Sequence, residues 1–204
     1  MSEKELFIAN AIMQQALMAI EEVMGEPGLK AVLRASGLEK YIDNPPPDDL
    51  EPAISFEDYA KLNQAIEDFY GRGGRGMLKR IGRASFQYGV REQATLMGIA
   101  GVALKLMPKR QRIKFVLNSL GNALKKASPD TEFWVDDRDN QIAYCIRDCS
   151  MCAGRTSEKP VGHLLIGSIT EAVQWATGEE MQVRETMCMC KGDPYGRFEV
   201  EIAE

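Results

Sequence analysis

The chain has 204 residues, 45% of them hydrophobic, with 25 Lys and Arg against 30 Asp and Glu, a formal net charge of −5. Such a length and apolar content allow one large or two small globular domains with a substantial core, and leave no room for a disordered reading. The acidic balance speaks against a nucleic-acid or anionic-membrane binder, since both partners are polyanions.

The start, Met1-Ser2-Glu3-Lys4-Glu5, lacks the basic and apolar regions of a secretory signal, and no apolar run approaches the roughly 20 residues a bilayer span requires, so a cytoplasmic protein is expected. Ala9, Ile12, Met13, Ala16, Leu17, Ile20 and Val23 recur at helical spacing, and Gly25 with Pro27 ends that helix. A shorter helix over Leu29 to Arg34 follows, and Asn44-Pro45-Pro46-Pro47-Asp48-Asp49 is a loop and the candidate hinge, because prolines donate no backbone hydrogen bond. Residues 1–50 are therefore expected as a helical extension and 51–204 as the main domain. Ser55 caps a helix carrying Tyr59, Leu62, Ile66 and Phe69, ended by Gly71.

The run Gly71-Arg72-Gly73-Gly74-Arg75-Gly76 reads as a turn between helices, since a P-loop needs a preceding strand and a terminal Gly-Lys-Ser/Thr. Helical periodicity resumes over Met77 to Val90, Gln93 to Leu106, and from Pro108 with Ile113, Val116, Leu117, Leu120 and Leu124 inward. Lys105, Lys109, Arg110, Arg112 and Lys114 read as a solvated face of these helices. Beyond residue 128 the texture changes. Thr131 to Asp136 and Gln141 to Ile146 form a hairpin, a helix spans Val161 to Thr177, and strands cover Met181 to Cys188 and the alternating Phe198, Val200 and Ile202. The fold class expected is α/β of the α+β kind: N-terminal helices packed on a twisted antiparallel sheet, with a helix inserted between two strand pairs.

Four of the five cysteines fall in two close pairs, Cys149 with Cys152 and Cys188 with Cys190. A CxxC loop can aim both sulfurs at one ion, and positions two apart in an extended strand share a face, so the pairs could close one tetrahedral thiolate site. Soft sulfur favours zinc, with an iron–sulfur cluster or copper(I) as alternatives. Redox thiols and inert core thiols are the competing readings. The polar flanks, Arg147-Asp148 and Gly154-Arg155-Thr156-Ser157, disfavour burial of the first pair, and Cys145 reads as a buried apolar residue. Glu185 is a further candidate ligand, although in a regular strand it points away from Cys188 and would need a bulge to join it.

The segments Ser55-Phe56-Glu57, Pro160-Val161-Gly162-His163, Trp175 to Gly178, and Glu185-x-x-Cys188-x-x-x-Gly192-Asp193-Pro194-Tyr195-x-Arg197-Phe198 resemble the 4-vinyl reductase domain family from about residue 55 onward. The resemblance implies a fold akin to the small subunits of the transport-protein-particle tethering complex, an apolar pocket and a homodimer. The family's sensor members bind zinc through cysteines and a glutamate, which would carry over to Cys188 and Glu185. Two positions depart from that pattern: Gly196 and Gly162 stand where cysteines are usual, so Cys149, Cys152 and Cys190 would have to supply the missing thiolates. Phe86, Tyr88, Trp134, Tyr144 and the single histidine, His163, are the candidate ligand-binding side chains; no catalytic residue is assigned. The function expected is a metal-stabilised module that senses or carries a hydrophobic molecule, a tetrapyrrole intermediate or an aromatic compound; the alternatives are a reductase of a tetrapyrrole vinyl group and an interaction scaffold.

Overall fold

A computed structural model describes residues 5–92, 104, 106–138 and 141–202. The helix expected over 93–106 falls almost wholly outside these residues, as does the hairpin tip at 139–140. Strand β1 (Phe7–Ala9) leads into helix α1 (Asn10–Ala35), which is broken at Gly25, where φ of 73° interrupts the helical path two residues before Pro27. The two helices expected there are thus both present, and they meet at this break. Strand β2 (Pro52–Ser55) pairs antiparallel with β1, a small sheet that three- and four-residue segments give no periodicity to reveal. The proline loop is tied down by it: Asp49 accepts from the Asn10 side chain at 2.9 Å, and its carbonyl accepts from the Ala11 amide.

Helix α2 (Phe56–Tyr70) starts on the expected cap, Ser55 Oγ accepting from the Asp58 amide at 3.1 Å. A 3₁₀ turn over Gly71–Gly73 leads directly into α3 (Gly74–Glu92), so the first half of the glycine run is the expected turn between helices and the second half opens α3. Helix α4 (Lys109–Ala127) precedes the hairpin β3 (Glu132–Arg138) and β4 (Gln141–Arg147); helix α5 (His163–Thr177) then separates it from β5 (Val183–Met187) and β6 (Gly196–Val200). The four strands form one antiparallel sheet in the order β3-β4-β6-β5, with the inserted helix between strand pairs as expected.

Register assigns the two faces. Val135, Tyr144, Phe198 and Glu185 lie across one face, and Trp134, Cys145 and Arg197 across the other. The first face meets the helices: α4 packs on β3 and β4, with the Phe133 ring lying where a side chain at Gly121 would stand. A single core cluster joins Met13, Leu17 and Ile20 of α1 to Leu78 and Ile81 of α3, Ile169 and Val173 of α5, and Tyr144 and Phe198 of the sheet.

Helices α3 and α5 cross at two glycines. A Cβ at Gly82 would lie 1.9 Å from the Leu164 carbonyl oxygen, and one at Gly167 2.0 Å from the Lys79 carbonyl oxygen. Ser168 Oγ adds a 3.0 Å hydrogen bond to the Gly82 carbonyl. Both clashes are with backbone, which cannot rotate away, so Gly82→Ala or Gly167→Ala must separate the helices. Each is expected to lower stability by about 1–3 kcal/mol or more, read as a lower urea midpoint. Gly76→Ala, in the open first turn of α3 with nothing within 4 Å, should instead be neutral or stabilising.

Candidate functional site

The turn after β4 carries the first cysteine pair. Asp148 at φ 54° reverses the chain, the Cys152 amide donates to the Cys149 carbonyl at 2.9 Å, and the Arg155 amide donates to the Cys152 carbonyl at 3.1 Å. The second pair departs from the extended strand expected of it. β5 stops at Met187, and Met189–Lys191 form a 3₁₀ turn closed by Gly192 at φ 91°. Asp193 holds this knuckle, accepting from the Cys188 amide at 2.7 Å. Gly192-Asp193 therefore supplies turn chemistry that overrides strand geometry for Cys188 and Cys190.

These two turns bring the sulfurs of Cys152, Cys188 and Cys190 within 4.8 Å of one another, so this cluster could hold a metal ion. Tetrahedral zinc with Zn–S near 2.3 Å places its sulfurs about 3.8 Å apart, a spacing inside that limit. Cys188 and Cys190 are buried and pack on Val161; Cys152 is partly exposed. The Ser157 amide donates to the Cys190 carbonyl at 2.9 Å and fastens the following loop to the knuckle. Cys149 is not in the mutually close set. It touches Cys152 from the inner side, next to Tyr59 and Tyr144 in the main core.

Glu185 joins the cluster by the route the sequence leaves open. The β5–β6 register shifts between Glu185 and Met187, a bulge that turns the carboxyl group to Cys188. Its Oε2 also accepts from the Gly162 amide at 2.7 Å. A Cβ at Gly162 would stand 2.8 Å from that oxygen and 2.6 Å from the Phe198 ring, so the glycine leaves the room the carboxyl group occupies.

Crowding favours the protonated forms of Glu185, Cys190 and Cys152 when no cation neutralises them. Burial, with the Cys188 sulfur beside it, pushes Glu185 up to about 9. Hydrogen bonding to Cys152 pushes Cys190 up to about 12, and bonding to Cys149 and Cys188 pushes Cys152 higher still. A divalent cation reverses that preference, since thiolates and a carboxylate become favourable beside it.

His163 opens α5 and is buried, its Nε2 3.6 Å from Glu67 Oε1 and neither ring nitrogen hydrogen-bonded. Burial first, then the nearby Arg75 and Lys79, holds it down to about 4, an uncharged ring at neutral pH. Glu67 is engaged by Arg155 at 2.5 Å.

The remaining candidate side chains do not converge. Tyr144 is fully buried on the helix-facing side, stacked 6.1 Å from Phe133, and its hydroxyl has no partner. Trp134 stands on the opposite face, edge-on to Tyr195 at 4.9 Å and under the Arg147 guanidinium. Phe86 is partly buried against the core from α3, and Tyr88 donates to Glu22 of α1 at 2.7 Å. One cavity therefore cannot take both Trp134 and Tyr144, because adjacent positions of paired strands point to opposite faces. Sequence reasoning passed over Gly162 as a hydrogen-bond donor and Arg155 as a buried cation; the glycine standing where a cysteine is usual was the available signal for the first.

Comparison with known proteins agrees with this picture at two levels. The model of the 4-vinyl reductase domain, the family the sequence resembles, matches residues 142–202, the span from β4 to just past β6. The match is shorter than the similarity expected from residue 55. Solved structures add the whole-chain fold: an H-NOX protein from S. oneidensis in its Fe(II)NO state is 13% identical over 94% of this chain and 99% of that one, with a TM-score of 0.59. An unliganded Fe(II) H-NOX protein from K. algicida is 11% identical over 97% of both chains, also at 0.59, and a structure from work on heme distortion in the H-NOX family reaches 0.62 at 11% identity over 97% and 96%. No curated protein matches the sequence. At these identities the likeness is one of fold.

The outer face of the sheet carries an ion network that ties β3 to β6. Asp136 accepts from Arg138 at 2.6 and 2.9 Å and from Arg197 at 2.5 Å, which together hold its carboxyl group down to about 2. A carboxyl group that is more acidic folded than unfolded adds stability above its unfolded value near 3.8 and loses it as pH falls towards 2. Asp136→Asn should thus be less stable than the parent at neutral pH and converge with it at about pH 2, checked by thermal melts across that range.

Proposed function

We propose that this chain, whose C-terminal third matches the 4-vinyl reductase domain, is a metal-stabilised small-molecule-binding domain that takes a hydrophobic ligand, a tetrapyrrole intermediate or an aromatic compound, as a sensor or carrier. The observation that carries the metal part is the convergence of Cys152, Cys188 and Cys190 from two separate turns, with Glu185 bulged towards Cys188. Three thiolates and a carboxylate suit zinc, whose structural sites are tetrahedral and closed. An iron–sulfur cluster takes four thiolates and would need Cys149, which sits on the core side of the triad.

The small-molecule part rests on the family match and on buried polar groups that lack partners. The Tyr144 hydroxyl and the His163 ring nitrogens are buried without a hydrogen bond, and such groups are ordinarily satisfied by water or by a ligand. The names of the H-NOX structures speak of heme, but the residues here do not fit a histidine-held heme. The single histidine is buried with Glu67 3.6 Å from its Nε2, where an iron would have to stand, and with Arg75, Lys79 and Arg155 as further charged neighbours. A cytoplasmic homodimer completes the proposal; no helix among the described residues is long and apolar enough to cross a membrane.

Elemental analysis and an absorption spectrum test the metal assignment. About one colourless zinc ion per chain is expected, lost in Cys152→Ser and Cys188→Ser, retained in Cys149→Ser, and bound about ten- to a hundredfold more weakly in Glu185→Gln. A brown, iron-containing sample, or no metal in anaerobically purified protein, would overturn the zinc site.

A further inference from the structure

A cavity of about 340 Å³ opens beside the thiolate cluster, lined by Glu67, Asp68, Gly71, Arg75, Ser157, Lys159, Pro160 and Val161. It lies where the end of α2, the glycine turn and the first residues of α3 meet the loop before α5. From the charges and partners of these residues we infer that this cavity binds the oxyanion of a small organic molecule, a carboxylate or a phosphate ester, between Arg75 and Lys159.

The argument starts from an asymmetry of charge. Elsewhere the cations are commonly paired: Lys30 with Glu26 and Asp43, Lys40 with Asp58, Arg83 with Glu171 and Glu180, Arg197 with Asp136 and Glu199. Around this cavity they are not. Among the described residues neither Arg75 nor Lys159 takes part in an ion pair or a side-chain hydrogen bond, and exposed Arg72, Lys79 and Arg80 of the same turn and helix take part in none either. On a chain of net charge −5, unpaired positive charge gathered at a concavity marks a place kept for an anion from outside.

The acidic lining residues do not cancel it. Glu67 is committed to Arg155 at 2.5 Å, both side chains being largely buried, which leaves Asp68 as the one uncommitted carboxylate against two cations. The first turn of α3 contains no acidic residue, so the positive end of this 19-residue helix adds to the field. Ser157 Oγ accepts from the Lys159 amide at 3.1 Å and keeps its own proton to donate. The chain neighbours of the lining, Phe69 and Tyr70, form an exposed edge-to-face pair 5.1 Å apart, an apolar rim for the rest of the ligand. The inference deepens the small-molecule reading by naming the polar end of the ligand and rests on it only for the ligand's remainder.

Titration of the full-length protein with benzoate and, separately, with inorganic phosphate, followed by calorimetry, tests it; zinc content is measured on the same samples. Saturable binding of either probe is expected, weakened about tenfold or more by Arg75→Gln and by Lys159→Gln and unchanged by Lys126→Gln on the far end of α4. Tighter binding of benzoate assigns a carboxylate seated beside the aromatic rim, and tighter binding of phosphate assigns a phosphoryl group. Failure of both probes to saturate, or saturation that neither cavity variant weakens, overturns the inference. If zinc is present while both probes fail, the cavity assignment falls and the metal reading stands; if binding persists without zinc, the reverse holds.

Discussion

The contact on which the rest of this structure depends is the crossing of α3 and α5, where two glycines let backbone meet backbone. Helix pairs normally stand 8–10 Å apart on interposed side chains. Here Gly82 and Gly167 remove the spacer from both partners, and the Ser168 hydroxyl spans the gap to the Gly82 carbonyl. α5 begins at His163, so the depth of the crossing decides where Pro160, Val161 and Gly162 run. Val161 then backs the cysteine knuckle and Gly162 presents its amide to Glu185. A helix contact that includes no cysteine thus places one wall of the candidate metal centre and one wall of the neighbouring cavity.

The centre itself is assembled from groups that repel one another when charged. Three sulfurs and a carboxyl group share a space from which water is largely excluded, and Glu185, Cys152 and Cys190 are pushed towards their protonated forms. Such an arrangement is poor as a core and good as a coordination shell. Inert burial would have favoured apolar neighbours without a buried glutamate, and a redox pair would not explain a third sulfur within the same reach. The knuckle bonds of Asp193, the bulge in β5 and the Ser157 tether fix the donors through backbone. Backbone support of this kind costs little entropy on binding.

Much of this was legible in the sequence, for identifiable reasons. The apolar stripes of α2 and α4, the Ser55 cap and the Gly25-Pro27 break are local signals, and local signals survive folding. The pairing of Cys149-x-x-Cys152 with Cys188-x-Cys190 was legible as spacing, but which three sulfurs meet was not. That depends on whether residues 188–190 continue a strand, and Gly192-Asp193 decides otherwise from outside the motif. The bulge at Glu185 is set by a tertiary partner, the Gly162 amide, with no local mark. Trp134 and Tyr144 looked equivalent as aromatic residues in strands, and only register put them on opposite faces. Likewise Gly82 and Gly167 read as ordinary helix-interior glycines, because close approach is a property of the pair and invisible in either member.

The order β3-β4-β6-β5 separates β4 from β5 by the last strand to be made, β6. Cys152 follows β4 and Cys188 follows β5, so an ion held between them closes a loop of 36 residues across two strands that share no hydrogen bond with each other. By the chain-entropy account of cross-links, closing a loop of that length restricts the unfolded ensemble by on the order of 4 kcal/mol. Seen this way an ion at this place would act as a topological staple. It would hold the slot for β6 at the right width before that strand docks, and its loss would loosen the central strand first while leaving the helical half of the molecule packed.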